Sequence, residues 1–369
     1  MTAPKHLIIA LVSSLLISFS SLSAQASAST NPVGFVSTEI FNGDDVVVGL
    51  QLERTSVYQG SVSSVLGNVV SLLNANLDVL AGPHYMLVVS SFTPTMEGKW
   101  FEIQSNNFDS LTLVDNVQSL GLTSSDIVKI TPFWTLSELF PSGKGVGVSS
   151  DPFSPVSFVM IPDLTSSGVN LARNKFYFYH DGSSPIVGNI AGWYDNDNIF
   201  GGTVDSLPLS PETYIAIRNQ SGANQRYLMS GAVPVSTYST NIVRLVDRVS
   251  QDNALVNPYP KSMTLSESGL KDVIDVTTNP FSPTDLILLY VNSQGSGTNV
   301  PPSKVYFYHD GSSSILGNVA GWYDNDNIFG GVVDNSVSIP GGGAFVVRKS
   351  SSGLAETRVW NPQLPYNLE

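Results

Sequence analysis

The feature that most constrains this chain is that it contains a long copy of itself. Residues 175–202 read KFYFYHDGSSPIVGNIAGWYDNDNIFGG and residues 304–331 read KVYFYHDGSSSILGNVAGWYDNDNIFGG; they differ only at Phe176/Val305, Pro185/Ser314, Val187/Leu316 and Ile190/Val319. Other anchors keep nearly the same separation: TLSE at 135–138 and 264–267, DPFSP at 151–155 with NPFSP at 279–283, and LVDNV at 113–117 with LVDRV at 245–249. Self-similarity at a fixed spacing marks repeated folding units. Two units follow, 103–229 and 230–360, each about the size of an ordinary domain, with 361–369 left as a C-terminal tail.

Residues 29–102 read as a degenerate first copy, because VYQGSVSSVLGN at 57–68 echoes YHDGSSSILGN and AGPHYMLVVSS at 81–91 echoes PGGGAFVVRKS at 340–350. Between these landmarks that copy is shorter by about the length of GWYDNDNIFGG. A scaffold that closes without the loop makes the loop a candidate for function.

Local pattern predicts strands along most of the chain. VVVGLQLE, HYMLVVSS, SFVMIP, YIAIR, LILLYV and AFVVR are short, β-branched or aromatic, and bounded by Gly, Pro, Asn or Ser. In FYFYH the alternation puts Phe176, Phe178 and His180 on one face and Tyr177 and Tyr179 on the other, and Val305 in place of Phe176 marks the first face as core. His-Asp-Gly-Ser then reads as a tight hairpin turn. Thr135 with Glu138, and Thr264 with Glu267, have the spacing of a capping box. The expected class is mainly all-β, with tandem β-sandwich or small β-barrel units and minor short helices.

The first residues have a basic start at Lys5, an apolar run from Leu7 to about Leu22, and small-residue sites around Ala24, Ala26 and Ala28. This predicts a signal peptide over 1–28 and an exported protein: periplasmic, cell-surface or extracellular. No later segment has the ~18 apolar residues of a spanning helix. The formal net charge of −13 and the lack of a basic block exclude nucleic acid and anionic membrane as natural partners. With no cysteine, neither a disulfide nor a Cys-ligated metal is available. The segment TNPVGFVSTEI, the strand-rich repeat and the ending GGGAFVVRK resemble a family of exported bacterial proteins whose members begin Thr-Asp/Asn-Pro-Val-Gly-aromatic-Val. The resemblance implies export and a β-rich fold, and it carries no activity.

Chemistry-bearing candidates are few. His84, His180 and His309 are the histidines past the signal segment, and no nucleophile elbow, zinc helix, P-loop or dinucleotide fingerprint accompanies them. His180-Asp181 and His309-Asp310 are candidate ligand contacts, or structural hydrogen-bonding groups at a strand end. In the identical loops, Asp195 and Asp197, and Asp324 and Asp326, place hard oxygens in succession as Ca²⁺ requires, while Asx turns explain the same letters. Trp193 and Tyr194, and Trp322 and Tyr323, fit a sugar platform or core packing; adjacent strand residues face opposite ways, so the two rings cannot share one side. The pattern favours a non-catalytic repeat protein with a structural, adhesive or glycan-binding role. The alternative is a secreted polysaccharide-acting hydrolase, which would need two carboxylates facing each other in a cleft.

Overall fold

The computed structural model describes residues 32–171 and 173–366. The expected signal segment, 1–28, lies outside the described residues. Among them the chain is mainly β, as its turn-punctuated β-branched runs predict, and no helix is long and apolar enough to cross a membrane.

The first unit is built from two separated pieces of chain. Strands β1 (Val33–Ile40) and β2 (Asp45–Gly49) lead into six strands that roll up on themselves: β3 (Tyr58–Leu66), β4 (Val69–Leu72), β5 (His84–Ser90), β6 (Trp100–Asn106), β7 (Ser110–Leu113) and β8 (Ile127–Pro132). These form a closed barrel in the order β3-β4-β7-β6-β5-β8, filled by Val62, Met86, Leu111, Val128 and Ile130. After the barrel the unit resumes with β9 (Trp134–Thr135), β10 (Val148–Ser149), β11 (Ser157–Pro162), β12 (Arg173–Asp181), β13 (Ala191–Asp195), β14 (Pro208–Leu209), β15 (Tyr214–Asn219) and β16 (Gln225–Ala232). β1 pairs β16 and β2 pairs β15, so residues before the barrel complete sheets made after it.

The second unit repeats this plan without an insert. It comprises β17 (Thr240–Arg244), β18 (Gln251–Val256), β19 (Met263–Thr264), β20 (Leu286–Leu289), β21 (Lys304–Asp310), β22 (Ala320–Asp324), β23 (Ser338–Ile339), β24 (Ala344–Lys349) and β25 (Glu356–Trp360). The sheet β18-β24-β20-β21-β22 answers β2-β15-β11-β12 with β13 beside β12, and the ribbon β17-β25 answers β1-β16.

The observed sheets place the boundaries differently from the sequence reading. Position 102/103 falls inside barrel strand β6, and 229/230 falls inside β16. The segment read as a degenerate copy holds the opening strands of the first unit followed by the first part of a barrel, and its echo at 57–68 lies in barrel strand β3 and the turn after it. The echoing letters are strand and turn chemistry, which a barrel and an open sheet share.

The two central sheets pack face to face. Val47, Met160, Tyr214 and Ala216 of the first meet Leu288, Ala344 and Val346 of the second in one apolar cluster. Alternate residues Val46, Val48, Val159, Ile215 and Ile217 face the other way, into a larger core closed by Ile40, Leu136, Phe140, Tyr227 and Met229. Both faces of each sheet are therefore covered, which is why these strands read as continuous apolar runs.

Reciprocal polar clasps fix the register of the sandwich. The carboxylate of Asp45 accepts from Arg218 Nε at 2.8 Å, from Arg173 Nη1 at 2.9 Å and from Asn299 N of the second unit at 2.8 Å. Asp252 mirrors this, accepting from Arg348 Nε at 2.7 Å and from Asn170 N of the first unit at 2.7 Å. At the barrel's junction with both units, buried Lys129 donates to Glu53 at 2.7 Å, Tyr238 donates to Glu53 at 2.9 Å, and the Tyr85 and Tyr238 hydroxyls lie 2.9 Å apart. The expected capping box at Thr135 and Glu138 forms and starts the short helix Leu136–Leu139. Thr264 and Glu267 make the same reciprocal bonds, there closing a turn.

Candidate functional site

The repeated stretch becomes β12, a connection, β13 and a final loop, and the second unit repeats its strand pairing in the same register. Tyr177 pairs Asp195 and Tyr179 pairs Trp193; Tyr306 pairs Asp324 and Tyr308 pairs Trp322. Trp193 is fully buried in the main core, within 5.7 Å of the Phe140 ring centroid and 5.8 Å of Tyr179. Tyr194 points the other way and is buried too, stacked at 6.0 Å on Phe178, with its hydroxyl donating to Ile190 O. Trp322 and Tyr323 repeat both arrangements. The expected sugar platform is thus corrected: the two rings do face opposite sides, but the sheet is covered on both, so neither is free to stack on a ligand. In FYFYH the face of Phe176, Phe178 and His180 packs inward as expected, Phe178 in a smaller cluster with Val187 and Tyr194, while Tyr177 and Tyr179 on the other face pack on the main core, so both faces are covered.

His180 and His309 are fully buried at the ends of their strands. His180 Nδ1 accepts from Gly182 N at 2.8 Å and Nε2 donates to Ser150 O at 3.0 Å, the pattern of a neutral ring used twice. His309 does the same with Gly311 N and Thr278 O. His84, at the start of barrel strand β5, is held by Gly82 O. Asp181 and Asp310 bend back onto Ser183 and Ser312, whose amide and hydroxyl hold both carboxyls below the usual range. The expected tight hairpin is instead a nine-residue connection with the 3₁₀ turn Pro185–Val187 inside it.

Asp195 and Asp324 are used as turn formers. Asp195 Oδ1 accepts from Asp197 N and Asp324 Oδ1 from Asp326 N, each at 2.9 Å. A lysine covers each carboxylate, Lys304 at 3.0 Å from Asp324 and Lys175 at 3.8 Å from Asp195. Among the described residues no group of three or more His, Asp or Glu side chains is arranged to hold a metal. With the turn oxygens engaged, millimolar Ca²⁺ is expected to leave the melting temperature unchanged. A rise reversed by chelator would show that the loop rearranges around an ion, since a ligand that binds only the folded state stabilises it.

Most of GWYDNDNIFGG is therefore framework. Gly192 admits no Cβ, which would lie 2.6 Å from Thr203 Cγ2; the final Gly202 sits at φ +87°. Asp205 Oδ1 accepts from Trp193 N at 2.9 Å and Val204 N donates to Trp193 O at 2.7 Å, so the outer edge of β13 is already covered. Ile199 packs beneath Tyr194. Phe200 is left over: 73% exposed on the 3₁₀ turn Ile199–Gly201.

It has a companion in the other repeated motif. Phe153 of DPFSP, 63% exposed, stands edge-on to Phe200 with ring centroids 6.4 Å apart. In the second unit Phe281 of NPFSP and Phe329 are 61% and 71% exposed and 6.3 Å apart. Asx turns present the first ring of each pair, with Asp151 Oδ1 accepting from Phe153 N and Asn279 Oδ1 from Phe281 N. No protein-family model, curated protein or solved structure matches the chain. Sequence reasoning misses these pairs as site residues; their signal is an aromatic side chain set among turn formers in both copies.

A groove of about 440 Å³ runs between the barrel and the sandwich, lined in part by Trp100, Glu102, Asp115 and Glu212. Burial raises the Glu212 carboxyl above its ordinary value, against the Trp100 indole, which donates to it at 3.1 Å, and a Thr240 hydrogen bond.

Proposed function

We propose that this protein is an exported, non-catalytic module that binds a neutral glycan or glycan-bearing surface at two equivalent edges, one per unit. The observation that carries the reading is the recurrence of one exposed phenylalanine pair at the same place in both units. Exposed aromatic rings held on rigid turns lose little freedom on binding and suit the apolar faces of pyranose rings. The flanking Asn196, Asp197 and Asn198 are exposed and offer donors and acceptors for hydroxyls. A net charge of −13 favours uncharged partners over anionic ones.

The test replaces Phe153, Phe200, Phe281 and Phe329 together by Ser and measures retention on insoluble neutral polysaccharides and adhesion to cells. Retention is expected to fall at least tenfold while the melting temperature shifts little, because exposed substitutions usually change stability by no more than ~0.5 kcal/mol each. Undiminished retention refutes the reading.

A hydrolase reading draws on the groove, where Glu212 has the environment of a general acid and Glu102 and Asp115 line the same walls. Polysaccharide cleavage that disappears in Glu212→Gln would favour it over the binding module.

A further inference from the structure

We propose that Lys349 and Asp285 condense into an intramolecular amide that ties the end of β24 to the start of β20. Leu286 pairs Arg348 in antiparallel register, so Asp285 and Lys349 stand opposite each other one step further along. Both side chains are completely buried, and Lys349 Nζ is in direct contact with Asp285 Oδ2. A third group completes the arrangement: Glu356 Oε1 lies 3.1 Å from the same Nζ. Asp285 Oδ1 accepts from Ser350 N at 2.8 Å and has Arg244 Nη2 at 4.0 Å; Oδ2 accepts from Asp275 N at 2.7 Å. Asp275 Oδ2 is 3.7 Å from Nζ, and Arg358 pairs with Asp275 and Glu356, so three cations and three anions balance around the site.

The chemistry needs no outside reagent. Taking an ammonium and a carboxylate out of water is expensive, and a neutral amide removes both charges at once. Glu356 accepts a proton from Nζ, the freed amine attacks Asp285 Cγ, and an N–C bond forms. Oδ2 leaves as water with the two protons that Nζ gives up, relayed by Glu356. Oδ1 becomes the amide oxygen, its charge in the tetrahedral stage met by the Ser350 N–H, with the Arg244 guanidinium at 4.0 Å adding positive charge without a hydrogen bond. Every atom is accounted for: ammonium plus carboxylate gives amide plus water. In a chain without cysteine, such a bond supplies the covalent cross-link that a disulfide would give.

The first unit contains its own control. Ser157 pairs Asn219 at the equivalent position, both buried, and neither can form the amide. Likewise Ile40 pairs Gln225 where Arg244 pairs Glu356. The charged constellation is confined to one of two otherwise similar sheets.

Removing either partner strands the other charge in the core, so the decisive experiment uses the unaltered full chain, denatured, digested and read by tandem mass spectrometry. The peptide carrying Lys349 is expected to be joined to the one carrying Asp285, lighter than their sum by one water, with no tryptic cleavage after Lys349. Glu356→Gln should fold, by circular dichroism, and give the two peptides separately. Separate, unmodified peptides from the unaltered chain would overturn the proposal and leave an ion pair. A linkage that persists in Glu356→Gln would overturn the role of Glu356.

Discussion

Trp193→Ala is expected to destabilise the fold by about 3–5 kcal/mol, and Trp322→Ala by a similar amount, because each empties an aromatic volume from a close-packed core. Trp193 packs against Phe140 and Tyr179 in a buried cluster that also holds Tyr227, Ile217 and Leu139, and close-packed cores relax only partly into a void. Its indole Nε1 is buried without a hydrogen-bond partner, as is that of Trp322. Trp→Phe at either site therefore sacrifices packing but no polar contact, and should cost clearly less than Trp→Ala. Denaturant unfolding followed by circular dichroism measures both. Asp197→Ala, on the exposed part of the same loop, should stay within ~0.5 kcal/mol of the unaltered chain. If Trp193→Ala were as mild as Asp197→Ala, the ring would not be the frame element described above.

Asp45→Ala should be the most damaging single polar substitution at the interface between the units, costing about 2–4 kcal/mol, because it leaves two part-buried guanidinium groups and an amide donor without their acceptor. Arg173, Arg218 and Asn299 N all converge on that one carboxylate, whose side chain is fully buried. Asp252 has fewer partners and is less buried, so Asp252→Ala should cost less. Burial alone would raise the Asp45 carboxyl, but the Arg218 hydrogen bond, the Asn299 amide, the Arg218 charge and the Arg173 bond outweigh it and hold it below its ordinary 3.8. A carboxyl lowered in the folded state contributes stability that is complete above its unfolded value and is lost as pH falls through the folded one. Acid titration should therefore weaken the unaltered chain progressively below about pH 4, and the slope should be shallower in Asp45→Asn. Identical acid slopes would remove Asp45 from the account.

How far the sequence discloses this fold depends on how local each feature is. The strand of YIAIR, the first half of VVVGLQLE, the capping box at Thr135 and the repeat spacing are written in neighbouring residues and are legible in the letters alone, while the strand ends at Gly49, short of the LQLE that the pattern included. The joining of Val33–Ile40 to Gln225–Ala232 is not, since an inserted barrel separates them and pairing across it depends on contacts no window contains. The burial of Trp193 and Tyr194 is half legible. Alternation correctly puts them on opposite faces, but only the main core around Phe140 and the loop cluster around Val187 show that both faces are covered. Phe153 and Phe200 lie in different motifs, and their meeting is a tertiary event.

The central claim is that identical loops survive as frames for two equivalent binding edges. It is tested most directly by the dissociation rate from a surface coated with the polysaccharide that retains the unaltered chain. Phe153→Ser/Phe200→Ser and Phe281→Ser/Phe329→Ser, each altering one unit, should dissociate faster than the unaltered chain to the same degree, with association nearly unchanged and both variants folded, as loss of one of two linked sites requires. Dissociation unaffected by either pair, or by one pair alone, would contradict it.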